Sequence, residues 1–303
     1  DNPNALVYEQ LMATAFQSHP YRRPVIGWMP DIEDFTLADA QRWYDDWYTP
    51  NNARLVVVGD VDHQEVFKLA QQHYGTIPAR EIKPARIARE PEQRGPRHTV
   101  VRAPAELPSM TLAWKVPSLL PLNKPEHAQH NREVFALEML AAVLDGYEGA
   151  RLPRELVREQ QVAVSAGASY SGIGRGPAMF MLSVSPSPNH TVAEAETALL
   201  AELKRIQEHG IDEAELARVR TQAIAAEVFK RDSLMGQAME IGYLESTGFS
   251  WRDEAALLEG LRQVTTAEVQ AVAQRYFADT QLTRAELIPL PPADLAAAPA
   301  SGE

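Results

Sequence analysis

Two stretches decide the fold: residues 36–41 read TLADAQ, and residues 265–270 read TTAEVQ. Each begins with Thr and places an acidic residue three positions later, which is the capping-box signature of a helix start. Trp47-Tyr48 then aligns without a gap with Tyr276-Phe277. Two unrelated amphipathic helices with the same cap are the alternative, but the ungapped offset of 229 residues (265 minus 36) favours an internal duplication.

The duplication predicts how the chain is organised. A second unit that starts near His98 implies that about 130 residues of the first unit would precede Asp1. We therefore interpret residues 1–80 as the C-terminal part of a first half-domain and residues 98–290 as a complete second one. Residues 81–97, with prolines among charged groups, are predicted to be a linker, and residues 291–303 a flexible tail.

Apolar periodicity predicts an α+β fold, with an antiparallel-rich sheet and packed helices in each unit. The predicted strands are residues 54–58, 98–102, 110–116, 162–170 and 178–185, and most of the remaining chain reads as helix. The glycine-rich stretch 171–176 is predicted to connect two strands as a hairpin. We expect the aromatic side chains of Trp43, Trp47 and Tyr48 to lie in the core of the first unit.

Composition excludes several classes of protein. The 303 residues carry a net charge of −12, and the most basic stretch, 83–97, is broken by Glu90 and Glu92. We therefore expect no nucleic acid partner. The absence of cysteine excludes disulfides and thiol catalysis. No apolar run reaches the ~20 residues that span a bilayer, so no membrane span is predicted.

Short motifs in a fixed order carry a resemblance to a known family. They are residues 1–3 (DNP), 19–21 (HPY), 48–53 (YTPNNA) and the run 150–163. Together they resemble the M16 zinc peptidases, the group of pitrilysin, insulinase and the processing peptidases. The resemblance implies duplicated α+β half-domains of the M16/LuxS type around a chamber, the first of them truncated here. It also implies an H-x-x-E-H zinc motif in the first half, with a further Glu ligand just upstream of the DNP stretch.

The zinc motif itself is absent from the sequence. None of the eight histidines lies in H-x-x-E-H or H-E-x-x-H. His127 and His130 have helical spacing, but we expect solvent-facing polar residues there rather than a zinc pair. In the second unit, Phe135 and Met139 replace the two histidines of the motif, and only Glu138 persists. We therefore predict no catalytic residue and no bound metal in this chain, with Zn²⁺ held upstream of Asp1 in the full-length protein.

The substrate-binding pair of the family is also substituted. Relatives place an Arg, and seven residues later a Tyr, in a run that Arg151-Leu152 and Glu155-Leu156 align without gaps. The Arg position is then Val157 and the Tyr position is Val164. Arg158 would require a one-residue slip, which turns a helical side chain by about 100°. The two valines can also be interpreted as residues that simply pack in a core.

The resemblance implies a zinc metalloendopeptidase that binds peptide substrates, present here as a fragment that is inactive by itself. Some bacterial members divide the zinc site and the Arg/Tyr pair between two chains. Val157 and Val164 therefore predict a homologous partner subunit that supplies the pair. The alternative is a non-catalytic scaffold or partner subunit of such a heterodimer. The sequence leaves the compartment open between the cytoplasm and periplasm of a bacterium.

Overall fold

The computed structural model describes residues 2–230 and 232–290, so the predicted tail 291–303 lies outside the described residues. The strands are β1 Arg97–Ala103, β2 Ser109–Val116, β3 Ala163–Ser169, β4 Ala178–Pro186 and β5 Leu282–Pro289. The helices are α1 Pro3–Ala15, α2 Met29–Glu33, α3 Leu37–Trp47, α4 His63–Tyr74, α5 Ala128–Asp145, α6 Val192–His209, α7 Glu213–Lys230, α8 Leu234–Thr247, α9 Glu254–Arg262 and α10 Thr266–Tyr276. A π-helical segment, Pro153–Glu159, precedes β3.

The strands form one sheet in the order β1-β5-β2-β4-β3. β5 pairs in parallel with β1, and the other pairs are antiparallel. The α+β class with an antiparallel-rich sheet is therefore confirmed. β5 is the last of these strands in the chain but lies between β1 and β2. β1 is therefore joined to the rest of the sheet only through β5. The predicted hairpin over 171–176 is also confirmed, because β3 and β4 pair directly.

The main core lies between one face of the sheet and the helices α5, α6 and α10. Successive side chains of β2 point to opposite faces of the sheet, which determines the residues that enter the main core. Leu112 and Trp114 point into the main core and are almost fully buried, whereas Ala113 between them faces the other side. Phe180 on β4 stacks beside Tyr170 and meets Phe277 edge-on.

Helix α1 covers part of the opposite face, over β1, β5 and part of β2. Val7 and Leu11 are buried there against Ala113 and Ala285, whose small side chains let the helix approach the sheet closely. The helix begins at Asn2, whose side chain accepts a hydrogen bond from the Asn4 backbone N–H at 2.9 Å. Thus α1, which lies in the predicted first half-domain, packs on the sheet of the predicted second one.

Polar contacts fix the chain just after α1. The Glu90 carboxylate accepts hydrogen bonds from the backbone N–H groups of Gln17, Ser18 and His19 at 2.9–3.1 Å. Lys115 Nζ donates to the Ala15 carbonyl at 2.6 Å, and burial lowers the pKa of Lys115 to about 8. Glu90 belongs to the predicted linker 81–97, so part of that segment is bonded to the residues that follow α1.

Two expectations for residues 1–80 are wrong. Residues 54–58 form no strand, and Leu55 and Val57 are exposed. Trp43 and Tyr48 on and beside α3 are 60% and 63% exposed rather than in a core. The physical reason is shared: a strand needs a partner strand, and an aromatic face needs a covering layer. None of the five described strands supplies either to this region.

The helix starts that the capping boxes predict, by contrast, are the ones observed. The reciprocal bonds of a capping box join Thr36 to Asp39 and Thr265 to Glu268, as the paired TLADAQ and TTAEVQ stretches predict. The same device begins α6 at Thr191. Within the residues that the structure describes, no helix is both long enough and apolar enough to cross a bilayer.

Candidate functional site

The segment that carries Val157 and Val164 has an irregular backbone in three places. Its helix is of the π type, with the Gln160 N–H bonded to the Glu155 carbonyl at 2.8 Å. Gln161 follows with φ of 54°, the left-handed region that a residue with a Cβ seldom adopts. The β3–β4 register then shifts between Ala163 and Ser165, so Val164 occupies a bulge. Irregularities of these three kinds concentrate at functional sites.

A buried ion pair holds the start of this segment. Arg151 donates two hydrogen bonds to the Glu215 carboxylate, at 2.8 and 2.7 Å, and both side chains are largely buried. These bonds raise the pKa of Arg151. Glu215 itself is held at the beginning of α7, where its backbone N–H is capped by Asp212. The pair therefore ties the π-helical segment to α7 across the unit.

Val157 and Val164 lie in different environments. Val157 packs against the main core and is partly buried, so the core interpretation holds for it. Val164 is 43% exposed on the edge strand β3, so the core interpretation is wrong for this residue. Arg158 is exposed next to Val157. The position predicted to correspond to the family's Tyr is thus on the open surface of the bulge.

A groove with a hydroxyl-rich floor lies beside this bulge. It has a volume of about 360 Å³ and runs between α1 and the half of the sheet that α1 leaves uncovered. Ser165 and Ser169 on β3, together with Ser183 and Ser185 on β4, contribute hydroxyls, and Leu11 and Tyr8 form part of the helical wall. Such a floor can accept and donate hydrogen bonds without presenting a charge.

Helix α5 buries the two residues that we expect at the histidine positions of the zinc motif. Phe135 and Met139, at the two histidine positions of the motif, are 7% and 1% exposed and belong to the main core. Phe135 packs on α9 at Gly260, where an added Cβ would lie 2.3 Å from the ring. The donor set therefore does not fit zinc, because two apolar side chains occupy the places of nitrogen ligands.

Glu138 is the one residue of this motif that is retained, and its side chain is hydrogen-bonded. Its Oε1 accepts a hydrogen bond from the Gly172 backbone N–H at 2.6 Å. Burial raises the pKa of Glu138 to about 7, and the nearby Glu227 carboxylate adds to the increase. Gly172 is required at this contact, because a Cβ there would lie 2.4 Å from Val134.

The two candidate histidines bind backbone carbonyls. His130 Nε2 lies 2.8 Å from the Ser118 carbonyl oxygen, and His127 Nδ1 lies 3.0 Å from that of Pro121. Over residues 2–230 and 232–290, no cluster of three or more His, Asp and Glu side chains could hold a metal ion. The histidines anchor the connection between β2 and α5 instead.

Two features of the site carry no local sequence signal. The partner of Arg151 is 64 residues away, and acidic residues are common on α7, so nothing singles out Glu215. The left-handed backbone at Gln161 is also unmarked, because Gly and Asn are the residues that usually indicate it. Only the alignment of residues 151–156 with the family motif indicated this segment.

Removing the charge of Glu138 is expected to stabilise the protein above neutral pH. A raised folded-state pKa gives stability that is complete below pH 4.5 and is lost as the pH rises through about 7. We expect Glu138→Gln to raise the free energy of unfolding by about 1–3 kcal/mol at pH 8 and to change it little at pH 5. Urea denaturation at both pH values measures this difference.

Glu148→Gln, at an exposed position, is the matched control for loss of one negative charge. It should leave the unfolding free energy within about 0.5 kcal/mol of the parent value at both pH values. A Glu138→Gln variant that keeps the parent's pH dependence would refute the assignment of that dependence to Glu138.

The fold defines a class: an α+β unit with one antiparallel-rich sheet and helices packed on it. The family described as "Peptidase M16 inactive domain" matches residues 34–223, more than half of the chain. The chain belongs to this family. The matched range begins in the segment assigned to the first half and crosses the predicted linker.

Named relatives agree with this membership. The chain is 28% identical over 295 residues to "Zinc protease PqqE" of Helicobacter pylori, covering 95% of this chain and 63% of that protein. It is 25% identical over 293 residues to the mitochondrial-processing peptidase subunit beta of Lentinula edodes, covering 90% and 59%. A crystal structure of a protease from Helicobacter pylori superposes with a TM-score of 0.85 at 26% identity, covering 95% and 68%. The chain thus spans less than two thirds of the length of these two curated relatives.

Proposed function

We propose that this chain is the inactive half, with part of the catalytic half, of a zinc metalloendopeptidase that degrades or processes peptides. The observation that carries the proposal is the match of residues 34–223 to the inactive domain of a peptidase family. The substitution of both histidine positions by buried apolar residues fits this role. The zinc ligands and the general base then belong to residues outside this chain.

The uncovered surface of residues 1–80 supports a longer catalytic half. Leu55, Val57 and Trp43 are exposed although the repeat places their counterparts in a unit with a complete sheet. The counterpart of residues 54–58 is β5, which pairs on both sides. In our proposal, strands of the first unit pair with residues 54–58 in the same way.

The substrate of the complete protein is proposed to be an extended peptide, bound in the chamber by addition to a strand. The second unit contributes Val157 and Val164 at the positions of the family's Arg and Tyr. An isopropyl group cannot donate hydrogen bonds to a substrate carbonyl or to a developing oxyanion. We therefore propose that a homologous partner subunit supplies the Arg/Tyr pair.

The test uses two proteins: the 303-residue chain and the longer gene product that contains it. We expect the chain alone to retain no stoichiometric zinc after dialysis and to cleave no quenched fluorescent peptide. The longer product should bind one zinc per chain and cleave efficiently only when the homologous partner is added. One equivalent of zinc on the 303-residue chain, or full activity of the longer product alone, would contradict the proposal.

A non-catalytic scaffold subunit is the second candidate, because the described part of the chain holds no group able to bind a metal. The two proposals differ in the residues that precede Asp1 in the gene product. An H-x-x-E-H motif followed by a later Glu supports the peptidase, and replaced histidines support the scaffold. Zinc analysis of the longer product distinguishes them experimentally.

A further inference from the structure

Helix α8 has apolar residues on every side. Its sequence reads LMGQAMEIGYLEST, with two charged side chains among fourteen residues. Within the part of the chain that the structure describes, Leu244 is the one residue of this helix that is buried. Three of its large apolar side chains are 59%, 70% and 65% exposed, namely Leu234, Met235 and Met239. A helix that is apolar all round belongs in an interior, so we expect a further layer of protein over α8.

The elements around α8 repeat those around α1 in the same order. Each helix is followed by a short helical turn, at Pro20–Arg22 or at Trp251–Asp253, and then by a second helix, α2 or α9. The capping-box helix, α3 or α10, comes next. Both series begin at a side-chain cap, from Asn2 and from Ser233, and they lead to residues 54–58 and to β5. We therefore take α8 as the counterpart of α1 in the internal repeat.

The two helices also have corresponding neighbours. α1 belongs to the predicted first unit and packs on β5 of the second, with Leu11 in one apolar cluster with Ala285. α8 belongs to the second unit and passes residues 54–58 of the first, the predicted counterpart of β5. A Cβ added at Gly242 would lie 3.9 Å from Val56 Cγ2, which is an ordinary contact distance. Each helix therefore lies against the strand segment that ends the other unit.

The contact of α8 with residues 54–58 covers only part of the helix. An open groove of about 730 Å³ lies between this region and α8, with Leu55, Phe67 and Trp251 in its walls. α1, by contrast, covers β5 together with β1 and part of β2, the strands on either side of it. The equivalent surface for α8 is a pair of strands on either side of residues 54–58. Such strands would occupy the groove and cover the exposed side of the helix.

We propose that α8 docks on the sheet of the first unit, across residues 54–58 and the two strands that flank them in the longer gene product. Each unit then lends one helix to the sheet of the other. Ala238 lies one helical turn before Gly242 on the same side of α8. These small residues let the helix approach a sheet closely, as Ala113 and Ala285 do beneath α1. The proposal rests on the longer catalytic half of the proposed function, but it requires neither zinc nor peptidase activity.

Methionine oxidation by hydrogen peroxide measures whether α8 is covered, because exposed thioethers are converted to sulfoxides. In the 303-residue chain we expect rapid oxidation of Met235 and Met239. Oxidation should be slow at Met110 and Met139, which are 4% and 1% exposed. In the longer gene product, Met235 and Met239 should be oxidised more slowly by about fivefold or more, because the first sheet covers them. Peptide mass spectrometry gives the rate at each methionine.

Two substitutions at Leu107 provide controls, because this residue is 42% exposed in the turn between β1 and β2. The methionine introduced by Leu107→Met should be oxidised at the same rate in both proteins. Met235→Glu should lower the urea midpoint of the longer product, since it places a charge in an apolar contact, and should leave that of the 303-residue chain unchanged. Leu107→Glu should change neither midpoint.

The outcomes separate the docking of α8 from the peptidase proposal. Equal oxidation rates at Met235 and Met239 in the two proteins would overturn the docking, and so would equal protection at the Leu107→Met site. Protection that is present in the 303-residue chain and increases with its concentration would assign α8 to a second copy, which also overturns it. Protection without bound zinc keeps the helix exchange and contradicts the peptidase, whereas bound zinc without protection does the reverse.

Discussion

Trp114→Ala is expected to lower the free energy of unfolding by about 3–5 kcal/mol, among the largest single losses in this chain. Trp114 lies on the central strand β2 and is 1% exposed. Its ring meets Phe277 edge-on with 5.1 Å between centroids, and its Nε1 donates to the Ala278 carbonyl at 3.2 Å. The substitution opens a cavity and leaves that carbonyl unpaired, so both effects act in the same direction.

Trp43→Ala is the matched control, because Trp43 is 60% exposed on α3. In the 303-residue chain it should change stability by no more than about 0.5 kcal/mol. In the longer gene product, the proposed first unit covers this face, and the same substitution should cost markedly more. Urea denaturation with an unchanged slope measures both, and a Trp114→Ala loss no larger than that of Trp43→Ala would refute the placement of the core.

The contrast between these two tryptophans explains what the sequence could predict. Local signals were sufficient for helix starts, because a capping box involves only residues of its own helix. The capping boxes at Thr36, Thr191 and Thr265 lie within one residue of the observed helix starts. Strands of residues 97–186 were also predictable, because their neighbours lie in the same chain. Residues 54–58 carry an equally good strand pattern, yet a strand exists only with a partner, and the pattern does not reveal whether one is present.

The candidate site, likewise, could be predicted from the sequence only in part. The replacement of two histidines by Phe135 and Met139 is what the family resemblance implies, and the absence of a zinc motif can be read directly from the sequence. The environment of Glu138 cannot be read in this way, because the cavity beside it combines side chains from α5, α7, α8 and α9 with the Gly172 backbone. Burial and long-range contacts decide whether a lone glutamate is an exposed remnant or a buried, hydrogen-bonded group.

Arg151→Ala is expected to cost about 3–5 kcal/mol, because it leaves the Glu215 carboxylate buried without its partner. The side chains of Arg151 and Glu215 are only 15% and 11% exposed, and two parallel hydrogen bonds join them. Arg42→Ala is the control, since its ion pair with Asp39 is exposed and is worth about 0–1 kcal/mol. Chemical denaturation gives both values.

A second variant separates the loss of the pair from the loss of packing. Replacing both partners, Arg151→Met with Glu215→Leu, removes the buried charges together and should recover most of the stability lost by Arg151→Ala. Hydrogen exchange should nevertheless remain faster over residues 153–164 in the double variant, because the bidentate bonds that fix the π-helical segment to α7 are gone. Full protection of that segment in the double variant would mean that core packing at Leu156 and Val157, rather than the ion pair, holds the bulge at Val164 in place.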